Sequence, residues 1–164
     1  MDLDVVIEDT RWDSIDLPDL CATAARGIDR FVDLPADCEA AVLACDDVRI
    51  AALNQSFRSK DSATNVLSWP SVEYVRDPST GRPPPVQDAE LGDIALSFDT
   101  CQAEALDASR ATADHVIHLI VHGVLHLCGY DHANDQEAAV MEALEIEILA
   151  HLNISNPYDA NDQT

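Results

Sequence analysis

Apolar and polar positions change rhythm several times along the chain. Leu3 to Ile7 is a short β-branched run and predicts a strand. From Pro18 to about Val32 the residues Leu20, Ala24, Ile28 and Phe31 recur at helical spacing. Ala41 to Cys45 reads as a second strand. It ends in Asp46-Asp47, carboxylates suited to cap a helix from Val48 to about Phe57 with Ile50 and Leu53 on its apolar side. Asn65 to Trp69 predicts a third strand, closed by Pro70, and Leu91 to Ser97 a fourth. Asp99 is placed to cap a helix from about Thr100 to Leu106. A longer helix is expected from about Ala111 to Leu127, stopped by Gly129. The last begins near Asn134-Asp135 and runs to about Leu152, with Val140, Leu144, Ile148 and Leu152 four apart. Between the third and fourth strands, residues 76–90 hold four of the eight prolines, which predicts a mobile loop within one domain. Four strands and about five helices, alternating in the first half and helical in the second, predict an α/β (α+β) fold with a small sheet.

Length agrees with a single domain spanning 1–164, since domains run to about 100–200 residues. Charge alters the picture. Nine Lys+Arg stand against 31 Asp+Glu, a net charge of −22, and Lys60 is the one lysine. Such a surface repels phosphates and anionic lipids, so any nucleic-acid contact must be local. No run reaches the eighteen or so apolar residues of a membrane span, and MDLDVVIEDT lacks the basic start of a secretory signal. A cytoplasmic protein is expected. Cys21, Cys38, Cys45, Cys101 and Cys128 are odd in number and irregular in spacing, which fits reduced, buried thiols.

The chemistry concentrates in one segment. Five of the six histidines lie between residues 115 and 132. His122 and His126 are four apart, hence one turn apart on one helical face, a relation in which two imidazoles can hold one zinc ion. Gly129 permits a left-handed turn that can return His132 to the same ion. Three histidines with an open fourth position describe a catalytic site rather than a closed structural one. The spacing equals that of the metzincin proteases, HExxHxxGxxH, but Gly123 stands where the protease keeps its general-base Glu. His115 and His118 fall near the same face, as neighbours of the ligands or as structural residues. Cys128 lies on a different side of the helix.

A second constellation, LNQSFRSKDSATNVLSWP (53–70), places Arg58 and Lys60 two apart at a helix end. A guanidinium there can grip a phosphate with two hydrogen bonds, or it can simply favour a helix C-terminus. Asp131, beside His132, is a candidate proton acceptor or a turn residue.

Together these segments resemble the YbeY family of bacterial endoribonucleases. His122 to His132 match the family's H-G-x-L-H-L-x-G-Y-D-H signature at every fixed position. Residues 53–70 resemble its LN-x-x-[FY]-R-x-K-D-x-x-T-D-V-L-S-F-P stretch, and LGDIALS (91–97) its LGDI strand. Met141, Glu142, Glu145 and Glu147 fall on its M-E-x-L-E-x-E helix. The match covers about 40–158. Asn65 replaces the family's usual Asp, and Trp69 its Phe. The resemblance implies a mixed sheet flanked by helices and a cleft formed by the His-bearing helix. It implies one Zn2+ held by His122, His126 and His132, with Arg58 and Lys60 binding RNA and Arg58 and Asp131 catalytic. The implied activity is zinc-dependent cleavage of single-stranded RNA in rRNA maturation, notably at the 16S 3' end, and in ribosome quality control, with the ribosome or its proteins as partners. Two alternatives stand beside it: a zinc hydrolase of peptides or amides, and a ribosome-associated zinc protein with vestigial activity.

Overall fold

In the computed structural model, which describes residues 1–58, 60 and 62–159, the four expected strands and five expected helices are all present. The strands are β1 (Asp2–Ile7), β2 (Glu39–Cys45), β3 (Val66–Pro70) and β4 (Glu90–Ser97). The helices are α1 (Leu17–Phe31), α2 (Asp47–Arg58), α3 (Phe98–Asp107), α4 (Thr112–Leu127) and α5 (Asp135–His151). Ser59 and Asp61 of the 53–70 motif, and residues 160–164, lie outside the described residues.

The sheet is mixed, in the order β1-β2-β4-β3. β1 and β2 run parallel, as do β2 and β4, whereas β3 is antiparallel to β4. Alternation along β2 sends Ala40, Val42 and Ala44 into the main core and Leu43 and Cys45 to the other face. The main core lies between the sheet and α1, α4 and α5. It is filled by Ile28, Ile94, Leu96, Ile120, Val124, Leu125 and Ile148, all buried. On the opposite face α2 covers a smaller cluster of Cys45, Ile50, Leu67 and Ala95, edged by Trp69. Helix α4 packs across β3 and β4, is the most apolar helix of the fold, and carries four of the five histidines of the 115–132 segment.

Three details differ from the expectation. A 3-10 turn, Thr10–Ile15, precedes α1 and buries Trp12, whose Nε1 donates to Cys45 O at 3.0 Å. Asp99 does not cap α3: the cap position is Ser97, and Asp99 accepts the Asp47 N–H and the Arg11 guanidinium instead. Asp46, by contrast, does cap α2, accepting the Arg49 N–H at 2.8 Å. The proline-rich segment has no regular structure but is docked rather than free. Arg76 Nη1 donates to Tyr74 O and to Gly129 O, Gln136 donates to Ser79 O, and Val86 is buried. All five cysteines are buried and unpaired, and burial raises each thiol, as the sequence implies.

Candidate metal centre and cleft

Helix α4 ends in a tight reversal. Gly129 N–H donates to His126 O and Tyr130 N–H to Leu125 O, the bond pair of a glycine-terminated helix. Gly129 has a φ of 101°, and a Cβ there would sit 2.7 Å from Tyr74 Cβ and 2.9 Å from Pro83 Cβ. Backbone conformation and the docked loop therefore both demand glycine. The reversal carries His132 back over the helix. Its ring stacks on that of His122 at 5.9 Å between centroids and stands 5.0 Å from that of His126. One ring nitrogen of each of His122, His126 and His132 lies within 4.8 Å of the others.

Hydrogen bonding decides which nitrogen each ring offers. His126 Nδ1 lies 3.0 Å from Tyr130 O and His122 Nδ1 lies 3.2 Å from Glu145 Oε2, partners that can only accept. With hydrogens on Nδ1, both Nε2 atoms carry lone pairs, and these face each other at 3.1 Å. Two lone pairs so placed repel unless a cation lies between them. Two ligands on tetrahedral zinc at about 2.0–2.1 Å stand about 3.3 Å apart, so the pair is set near ligand spacing. Burial, and then the neighbouring His122 and His132, push His126 down to about 4, which keeps it in the neutral form that binds metal. The donor set fits a borderline-soft divalent ion. His132 is exposed, so the centre opens on the cleft.

Behind the ligands sits Glu145, fully buried on α5. It accepts from His118 Nε2 at 2.7 Å, from Tyr158 Oη at 2.7 Å and from His122 Nδ1. Burial alone would raise this carboxyl, but hydrogen bonds from His118, His122 and Tyr158 outweigh it and hold Glu145 at about 2. Burial and the Glu145 charge push the Tyr158 phenol up, so it remains a donor. His118 thus reaches the centre through Glu145. His115 does not reach it: its Nε2 lies 2.9 Å from Glu104 Oε1.

A cleft of about 770 Å³ runs from these histidines to the end of α2, and both sequence constellations line it. Arg58 Nη2 donates to Ser68 O at 2.7 Å. Lys60 and Asn54 line the same lip, and Asn54 Nδ2 holds the intervening loop through Ser62 O. Asp131 accepts the His132 N–H at 2.8 Å, and its carboxylate lies 3.9 Å from His126 Nδ1 and 3.7 Å from Arg76. Arg76, unremarked in the sequence, ties the docked loop to the histidine turn through Gly129 O and Asp131. Asn65 donates to Glu104 and accepts the Val66 N–H. An aspartate could make the second bond but not the first, so Asn suits a position beside a carboxylate.

Gly123 has a structural explanation. It faces the sheet, where a Cβ would meet Ile94, Val66 and Ser68 at 3.2–3.4 Å. Ser68 Oγ also donates to Gly123 O, at 3.3 Å. Any larger side chain there would crowd β3 and β4, so close packing favours glycine at this position.

Comparison with known proteins agrees with this architecture. The family model described as Endoribonuclease YbeY matches residues 6–153. Proteins named Endoribonuclease YbeY from Paracoccus denitrificans and from a Ruegeria species are each 49% identical to this chain. The first match covers 95% of the chain and 89% of the relative, the second 99% of both. A solution structure of the Thermotoga maritima protein TM1509 shares the fold, with a TM-score of 0.56 and 18% identity over 96% of this chain and 99% of that one. The chain belongs to the endoribonuclease YbeY family, and the likeness extends into the N-terminal forty residues, beyond the stretch that the motifs alone mark.

Proposed function

We propose that this member of an endoribonuclease family hydrolyses phosphodiester bonds of single-stranded ribosomal RNA with one zinc ion held by His122, His126 and His132. The reading includes rRNA maturation, notably at the 16S 3' end, and ribosome quality control in the cytoplasm. The observation that carries it is the pair of Nε2 atoms of His122 and His126, 3.1 Å apart at the end of a cleft that also holds His132 and Arg58. His122, His126 and His132 would hold the zinc ion, which would supply Lewis-acid chemistry for water and a phosphoryl oxygen without a glutamate at position 123. Arg58 stabilises negative charge growing on the phosphoryl oxygens, with Ser68 O steadying its guanidinium. Lys60 binds a neighbouring phosphate as a point charge. Asp131, which lines the cleft beside His132, accepts a proton. Among the described residues no helix is long and apolar enough to cross a membrane.

The test pairs metal analysis with two substrates. Protein purified without added metal should carry about one zinc per chain, and His126→Ala should lose it. Zinc-loaded protein should cut labelled single-stranded RNA and leave casein intact, and chelation should stop cleavage. Full zinc occupancy in His126→Ala, or casein cleavage in place of RNA cleavage, would overturn the reading.

A further inference from the structure

We infer that Glu145 is the positioning residue of the centre: it fixes His122 in the ring orientation and tautomer that present Nε2 to His126, and His118 and Tyr158 hold Glu145 in place. This rests on the reading of His122, His126 and His132 as metal ligands.

Glu145 occupies a place where an apolar side chain would normally sit. The buried positions of α5 are Met141, Glu145, Ile148 and Leu149, a stripe at helical spacing with one carboxylate in its middle. A buried charge is costly unless several donors meet it. Three do so here, and two of them, His118 and Tyr158, are not among the proposed ligands. His118 Nδ1 is itself buried without a partner, so the ring is held through Nε2 alone, by Glu145 at 2.7 Å and more loosely by Tyr158 Oη at 3.4 Å. Tyr158 arrives from beyond α5. Asn153, at φ 62°, reverses the chain, with Asn153 N–H donating to Ala150 O and Ile154 N–H to Leu149 O. Buried Ile154 anchors the returning segment, and Tyr158 Oη comes to 2.7 Å from Glu145 Oε1. The C-terminal segment is thereby built into the support of the centre. Without Glu145, His122 Nδ1 loses its acceptor, and no other described residue bonds to Nδ1 to select Nε2 as the ligand atom. Carboxylates in this relation to a ligating histidine contribute about 10–100-fold to metal affinity.

The experiment compares wild type, Glu145→Gln, Tyr158→Phe and His126→Ala. Zinc affinity is read by chelator competition, and His122 ring tautomer by nitrogen-15 NMR of the metal-free protein. Wild type should show His122 with its hydrogen on Nδ1. Glu145→Gln should bind zinc about 10–100-fold more weakly and show a mixed His122 tautomer. Tyr158→Phe should weaken binding by a smaller factor and keep the Nδ1 hydrogen. Wild-type zinc affinity in Glu145→Gln, with binding lost in His126→Ala, would overturn the positioning role alone. Unchanged affinity in His126→Ala would overturn the ligand assignment and this inference with it. Should Glu145→Gln fail to fold, the wild-type tautomer still decides, because a His122 hydrogen on Nε2 contradicts the proposal.

Discussion

Arg58 and Gly123 show how one residue divides function from packing. Arg58 lines the cleft and bonds to a single backbone carbonyl, Ser68 O, so its removal should leave the core and the histidine centre intact. Arg58→Ala is expected to keep its zinc and melting temperature while RNA cleavage falls about 10²–10³-fold, the effect of losing one transition-state charge contact. Arg58→Lys should recover only part, because an ammonium cannot offer a planar fork to two oxygens. Early melting or zinc loss in Arg58→Ala would assign the residue to structure. Gly123 predicts the reverse pattern. Gly123→Glu recreates the protease spelling, yet the new side chain would press into Ile94, Val66 and Ser68. Overpacking of this kind costs about 1–3 kcal/mol, before the penalty for a buried carboxylate. The variant should melt several degrees lower and gain no peptidase activity, read by thermal melt and casein cleavage.

At the scale of elements, the 3-10 turn before α1 is joined to α3 by one arginine. Arg11 donates through Nε and Nη2 to Asp9 and through Nη1 to Asp99. Both carboxyls are held below their ordinary value of 3.8, chiefly by the Arg11 hydrogen bonds. A folded-state pKa lowered in this way adds stability that is present above the unfolded value and lost as pH falls through the folded one. Wild type should therefore melt above Arg11→Ala at pH 7, and the gap should close as pH falls from about 4 downward. A gap that persists at pH 2 would instead assign Arg11 to its packing over the Phe98 ring, 5.0 Å away. This turn was not legible in the sequence, because Trp12 and Ile15 are its two large apolar residues and two positions make no period. The regular elements were legible to within two residues or so, since each has its own hydrophobic rhythm. Asp99 was misread because a carboxylate at a helix start suits a cap, whereas here it answers donors from Arg11 and α2. On α5 the expected stripe holds in part: Ile148 is buried and Leu144 and Leu152 pack against the core, but the buried line also runs through Met141 and Glu145, and a buried glutamate hides that part of the face from a hydropathy reading.

Across the whole molecule, the histidines, Arg58 and, through its helix motif, Glu145 could be named from the sequence, while the contacts of Glu145, Arg76 and Tyr158 could not, because they exist only where distant segments meet. The charge of −22 has its effect at this scale too. A chain of this length has a radius of gyration of about 15 Å. At about 0.01 M salt the Debye length is about 30 Å, so an approaching RNA meets the acidic surface as a whole. At about 0.15 M the length is about 8 Å, and the RNA meets only what lies beside it, including Arg58 and Lys60. Screening thus removes the repulsion before it removes the local attraction. The attraction itself depends weakly on salt: each phosphate neutralised on a single strand contributes a slope of about −0.7, and two cations offer little more than twice that. Cleavage of single-stranded RNA at substrate concentrations below saturation should therefore rise from about 0.01 M salt, pass through a maximum, and decline gently. A basic nuclease weakens from the lowest salt onward. Initial rates measured across a potassium chloride series, with zinc occupancy checked at each point, decide the matter. A monotonic fall from the lowest salt would mean that RNA reaches the cleft along a path shielded from the acidic surface, and that the net charge does not govern association.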